Sequence, residues 1–175
     1  KSVLQDLDGR FQGITNRIIE MFNDWTPHFQ TDTYLACISE HNPDEDVTGR
    51  LSMWRAYGGR NGVAIVMNNK PFFAESEIGA FTAPVSYLSL HEFIEEFELI
   101  MTNLRNNIDR ISMFSEDQIF GLLFSILRFN ALCTKHKGFH EEKEWRIIYS
   151  PKFESSKIIT TNIEIISGVP QSVCK

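Results

Sequence analysis

K-G-F-H-E-E-K-E-W-R-I-I-Y-S, Lys137 to Ser150, is a charged turn that runs into a strand. Glu141, Glu142 and Glu144 crowd together there, with His140 before them and Arg146 after. Side chains alternate along a strand, so Glu144, Arg146 and Ile148 share one face and Trp145, Ile147 and Tyr149 the other. The aromatic face reads as the core face, which turns Glu144 and Arg146 toward a cleft or solvent. A carboxylate held on a rigid strand can hydrogen-bond a sugar hydroxyl or stabilise an oxocarbenium-like centre. The plainer alternative is a solvated charge cluster with Glu144 paired to Arg146.

The segments before this strand set the fold class. Ser115 to Cys133 reads as a buried helix, with Ser115 and Gln118 spaced as a capping box and Phe120, Leu122, Leu123, Phe124, Ile126 and Leu127 around most of its circumference. Leu90 to Ile111 is an earlier helix, with Phe93, Phe97, Ile100, Leu104, Ile108 and Ile111 at helical steps and Glu92, Glu95 and Glu96 outside. Further out, Asp8 to Trp25 carries Phe11, Ile14, Ile18, Ile19 and Phe22 at helical spacing, and Pro27 is expected to stop it. Thr33 to Ser39 reads as a short buried strand, and Leu51 to Tyr57 as a turn or two of helix closed by Gly58 and Gly59. Gly62 to Met67, G-V-A-I-V-M, is the clearest strand, covered on both faces. Val85 to Leu88, Ser156 to Thr161 and Ile163 to Ile166 are shorter strands, and Gly168 and Pro170 end the pattern. Strands grouped around a two-helix insertion at about 90–134 predict an α+β fold with a mixed or antiparallel sheet, in a single domain over 1–175.

A net charge of -6 argues against broad nucleic-acid binding, although Arg50, Arg55 and Arg60 lie close enough for a local basic patch. Three scattered cysteines, Cys37, Cys133 and Cys174, give no disulfide framework, and a reducing cytoplasm is the expected setting. No apolar run is long enough to span a bilayer, so no membrane partner is expected.

S-M-W-R-A-Y-G-G-R-N-G, Ser52 to Gly62, is the second candidate site. Its glycines permit close backbone approach to a ligand, and Arg55 and Arg60 could bind phosphate. It lacks the Gly-Lys-Ser/Thr ending of a Walker loop. The alternative is a helix C-cap and turn with a buried Trp54. Cys133, His136 and His140 have loose spacing for a zinc site, and no metal is expected. Pro43-Asp44 with the distant Glu141-Glu142-Lys143 also echoes the P-D…E-x-K pattern of metal-dependent nucleases.

The segments T-Y-L-A-C-I-S-E (33–40), L-S-M-W-R-A-Y-G (51–58), G-V-A-I-V-M (62–67), P-V-S-Y (84–87), E-K-E-W-R-I (142–147) and I-E-I-I-S-G (163–168) occur in an order that resembles the bacterial domain-of-unknown-function family 2971. That family opens on a strand that this sequence lacks, so the expectation is that a first strand precedes Lys1. Glu142-x-Glu144 before W-R-I-I-Y is similar, more distantly, to the E-x-E of ADP-ribosyltransferases. That resemblance implies an ADP-ribosyltransferase-like fold and an NAD-consuming enzyme, a bacterial toxin or phage-defence effector, with a protein or nucleic acid as acceptor. Glu144 would stabilise the oxocarbenium ion as nicotinamide leaves, and Glu142 would orient the acceptor. Arg50 or Arg55 would neutralise the pyrophosphate, with Trp54 and Tyr57 beside them in the cofactor pocket. The readings to compare with it are a non-catalytic ligand-binding or sensor module and the nuclease.

Overall fold

The computed structural model describes residues 8–9, 12–45, 47–70 and 78–175. The chain divides into two compact units, one drawn from Lys1–Thr31 and Ser86–Lys137, the other from Asp32–Val85 and Gly138–Lys175. Helices with antiparallel and parallel strand pairs make the fold α+β.

In the first unit, helix α1 (Ile14–Thr31) packs Ile14 and Ile18, one turn apart, into a core with Ile111, Ile119 and Leu123. Burial of each such side chain contributes about 1.5–3 kcal/mol. Pro27 does not stop α1 but lies inside it. It removes one N–H from the ladder, and the side chains on either side of it compensate. Trp25 and Phe29 both pack on Phe124, with ring centroids 6.0 and 6.5 Å apart. Thr31 Oγ1 donates to the Pro27 carbonyl. Phe11 lies outside the described residues.

The rest of this unit is a crossover. Strand β3 (Ser86–Leu88) pairs in parallel with β4 (Thr134–His136). A parallel pair needs a long connection, and the helices supply it. They are α3 (Leu90–Asn106), α4 (Ile108–Ile111) and α5 (Glu116–Cys133), with Asn107 breaking the first from the second. Ser115 and Gln118 form the predicted capping box on α5. Only one stripe of α5 is buried, including Ile119, Leu123, Phe124 and Leu132; Leu122 is exposed. The all-round burial expected from its composition is therefore corrected.

In the second unit, β5 (Glu144–Tyr149) is the middle strand, antiparallel to both β1 (Tyr34–Ser39) and β2 (Phe81–Pro84). β1 is an edge strand with Leu35 exposed, not the buried strand predicted. A short helix α2 (Leu51–Met53) runs into a π-turn at Trp54–Gly58. Gly62 to Met67 forms no strand; Val63 is 83% and Ile65 80% exposed. Apolar continuity marks residues that favour burial, but a strand also requires a neighbour to accept its ladder bonds. None of the described residues pairs with this segment.

Two more expectations fail near the C-terminus. Ser156 to Thr161 is largely irregular, because Ser156 Oγ accepts the backbone N–H groups of Ile158 and Ile159 and takes them from any ladder. Gly168 and Pro170 do not end the order. Ser167 and Gly168, both at positive φ, make the turn of a hairpin between β6 (Thr161–Ile166) and β7 (Val169–Cys174). Thr160 and Lys175 exchange both backbone bonds. By alternation the Ile165–Pro170 pair is then a non-hydrogen-bonded one, so the missing proline N–H costs no ladder bond. Among the described residues no helix is long and apolar enough to cross a membrane.

Candidate functional site

Glu144 opens β5, and its carboxylate accepts from Arg146 Nε at 2.8 Å. Glu144 is buried, at 6% side-chain exposure, and Arg146 is partly buried, at 14%. Ile148 on the same face is fully buried; on the opposite face Tyr149 is buried, as expected, while Trp145 and Ile147 are half-buried. This corrects the expectation that the Glu144 face opens on a cleft. Alternation separates two faces but does not say which is more covered, and a central strand can be covered on both. The Glu144–Arg146 pair supplies the charge compensation that burial requires. Trp145 Nε1 instead donates to Glu40 Oε1 at 2.8 Å near the surface.

Arg50 is a knot between segments. Its Nη2 lies 2.9 Å from Glu45 Oε2 and its Nε 3.3 Å from Glu45 Oε1. Nη1 donates to Ser39 Oγ at 2.9 Å and to the Glu141 carbonyl at 2.6 Å, and Nη2 to the Glu40 carbonyl at 3.2 Å. The guanidinium thus ties the end of β1 to the turn before β5, and its donors are committed within the protein.

Trp54 is also structural. Its Nε1 donates to the Thr48 carbonyl at 3.0 Å. The indole lies against Gly49 and Gly58, where any Cβ would strike the ring. Those glycines serve close packing of the protein on itself. Tyr57 points outward at 67% exposure.

The residues beside these knots line an open cavity of about 490 Å³. Arg50 and Glu45 form one side as a neutral pair, and Ser52 and Arg55 continue from α2 into the π-turn. His140, Glu141 and Lys143 come from the 3-10 turn (Lys137–Glu142) and its end. Arg55 and Lys143 are exposed, and neither side chain has a hydrogen-bond or ionic partner among the described residues. Ser52 Oγ is buried without a hydrogen-bond partner among the described residues. Lys143 has φ 43, a left-handed conformation unfavourable for a residue with a side chain. Its backbone is pinned there, because its N–H donates to the His140 carbonyl and its carbonyl accepts from Glu40 N–H.

Of the candidates read from the sequence, the structure brings Arg50 and Arg55 to this cavity, together with His140, Glu141 and Lys143 from the metal and nuclease readings; Asp44, Glu142, Glu144, Trp54 and Tyr57 do not line it. The Glu142 carbonyl accepts from Ser39 Oγ and Arg50. Lys143 was legible only as part of the nuclease echo and Ser52 only as the start of the glycine-rich segment, neither as an anion contact. A left-handed lysine leaves no mark in a sequence, and Ser52 resembles any helix serine. Among the described residues no three His, Cys, Asp or Glu side chains are grouped to hold a metal ion.

A family model described as "Protein of unknown function (DUF2971)" matches residues 53–147, more than half of the chain. The W-R-A-Y-G turn and the E-K-E-W-R strand entrance both fall inside the match. No curated protein and no solved structure matches.

Proposed function

The chain belongs to the DUF2971 family of proteins of unknown function, and on that premise we propose that it is a cytoplasmic ligand-binding or sensor module whose cleft takes a small anion. The observation that carries this is the pair Arg55 and Lys143. Two cations from separate segments line one cavity with no partner among the described residues. Both signs of charge are available elsewhere on this acidic chain, yet these two remain uncompensated. Arg supplies a planar fork for oxyanions and Lys a mobile point charge. The test is calorimetry on the full chain with pyrophosphate. Arg55→Ala and Lys143→Ala should each weaken binding about tenfold, the loss of one charge-assisted contact. A wild-type protein that binds no phosphate anion would refute the reading.

One observation favours a second reading, the NAD-consuming ADP-ribosyltransferase-like enzyme, acting as a toxin or phage-defence effector on a protein or nucleic-acid acceptor. Glu142-x-Glu144 stands at the mouth of a central strand. In that reading Glu144 must leave Arg146 to reach the ribose of NAD. Nicotinamide release from NAD by the wild type, lost in a Glu144→Gln variant that circular dichroism shows to be folded, would support it. No release and no NAD binding would remove it.

A further inference from the structure

We infer that the ligand of this cleft is a phosphorylated polyol, a sugar phosphate or nucleotide, and that Glu141 reads its hydroxyl groups. This rests on the anion-binding reading above and narrows the chemical class. The cavity is not simply basic. Glu45 is neutralised by Arg50, but Glu141 also lines the space, and its exposed carboxylate has no partner among the described residues. It forms no ion pair with Arg55 or Lys143, so both signs of charge stand open in one cavity. A bare anion would gain from the cations and be repelled by Glu141. A ligand with a phosphoryl group at one end and hydroxyl donors at the other satisfies both, because an ionised carboxylate can only accept and a cation can only donate.

Two more features agree. A space of about 490 Å³ is large for a lone ion and falls in the range of small-molecule pockets. Ser52 also lines the cavity, and its hydroxyl, without a partner among the described residues, is a spare donor beside it. Glu141 is well placed to discriminate, since Arg50 holds its peptide carbonyl at 2.6 Å while the side chain remains exposed.

The experiment is calorimetry on the full chain with inorganic phosphate and ribose 5-phosphate at matched ionic strength. Ribose 5-phosphate should bind about tenfold tighter than phosphate, the worth of one charge-assisted hydrogen bond. Glu141→Ala should erase that preference and tighten phosphate binding, because the repelling carboxylate is gone, and Glu141→Asp should keep part of the preference. A purely structural role would weaken both ligands together. Equal binding of the two by the wild type, or a preference that survives Glu141→Ala, overturns this inference and leaves the anion-binding module standing. Failure of the wild type to bind either ligand overturns both.

Discussion

Arg50 and Arg55 are five positions apart and carry the same side chain, yet one is consumed by the fold and the other is open to a ligand. The difference comes from partners that no sequence pattern displays. Arg50 meets backbone carbonyls of Glu40 and Glu141 and one side of Glu45. Its planar fork is what fits them, so Arg50→Lys should lower stability by about 2 kcal/mol although the charge is kept. Arg55→Ala should leave stability within about 0.5 kcal/mol, as for other exposed sites. Chemical denaturation of both variants checks the contrast. Lys143 separates folding from binding in a similar way. Asn tolerates the left-handed region better than Lys, so Lys143→Asn should hold or raise the melting temperature while weakening phosphate binding. A clear loss of stability would mean that the lysine stem packs against the protein. Glu144 is the reverse case. With its carboxylate buried against Arg146, Glu144→Gln should cost about 2–4 kcal/mol because Arg146 loses its counter-charge. Strand alternation paired these two residues correctly on one face, but burial of that face depended on neighbours far away in the chain.

Caps and periodicities were readable at the scale of elements; strand pairing was not. Ser115 and Gln118 cap α5 as their spacing required, while Gly62 to Met67 showed only that an apolar segment prefers extended backbone, not that another strand lies beside it. Pro27 reads as a stop in isolation, yet contacts of Trp25 and Phe29 with Phe124 outweigh one lost ladder bond. Pro27→Ala should therefore stabilise α1, by about 1–3 kcal/mol in thermal unfolding, since proline costs about 3 kcal/mol in a helix interior. The cap of α3 has a pH signature. Hydrogen bonds from the Ser89 side chain and backbone hold the Glu92 carboxyl below its ordinary value of 4.5. A depressed folded value means the unfolded chain takes up the proton first, so the contribution is complete above the ordinary carboxylate range. It is lost as pH falls through the lower folded value. Hydrogen exchange at the N-terminus of α3 should accelerate, relative to other helices, only on acidification below that range. Glu92→Gln should flatten the response.

For the whole molecule, fold class was legible because the order of helical and strand periods limits it, as the insertion before β5 illustrates. Sheet order was not. β5 pairs with β1 across more than a hundred residues, for example Tyr34 with Tyr149 and Ser39 with Glu144, and local pattern does not report such long-range choices. The charge balance also acts at this scale. The chain carries -6, but its cleft presents two open cations and one carboxylate. An approaching phosphate is repelled by the molecule at long range and attracted only near the site. Salt separates these effects, because the Debye length falls from about 30 Å at 0.01 M to about 8 Å at 0.15 M. Screening then removes the distant repulsion while contacts of a few ångströms are weakened much less. The association rate of phosphate should accordingly rise by about two- to threefold across that range, opposite to the fall shown by sites that steer their ligand electrostatically. Stopped-flow binding to the full chain would measure it. A rate that falls with salt would mean that the field at the cleft mouth is positive well beyond Arg55 and Lys143, and that a wider basic surface guides the ligand.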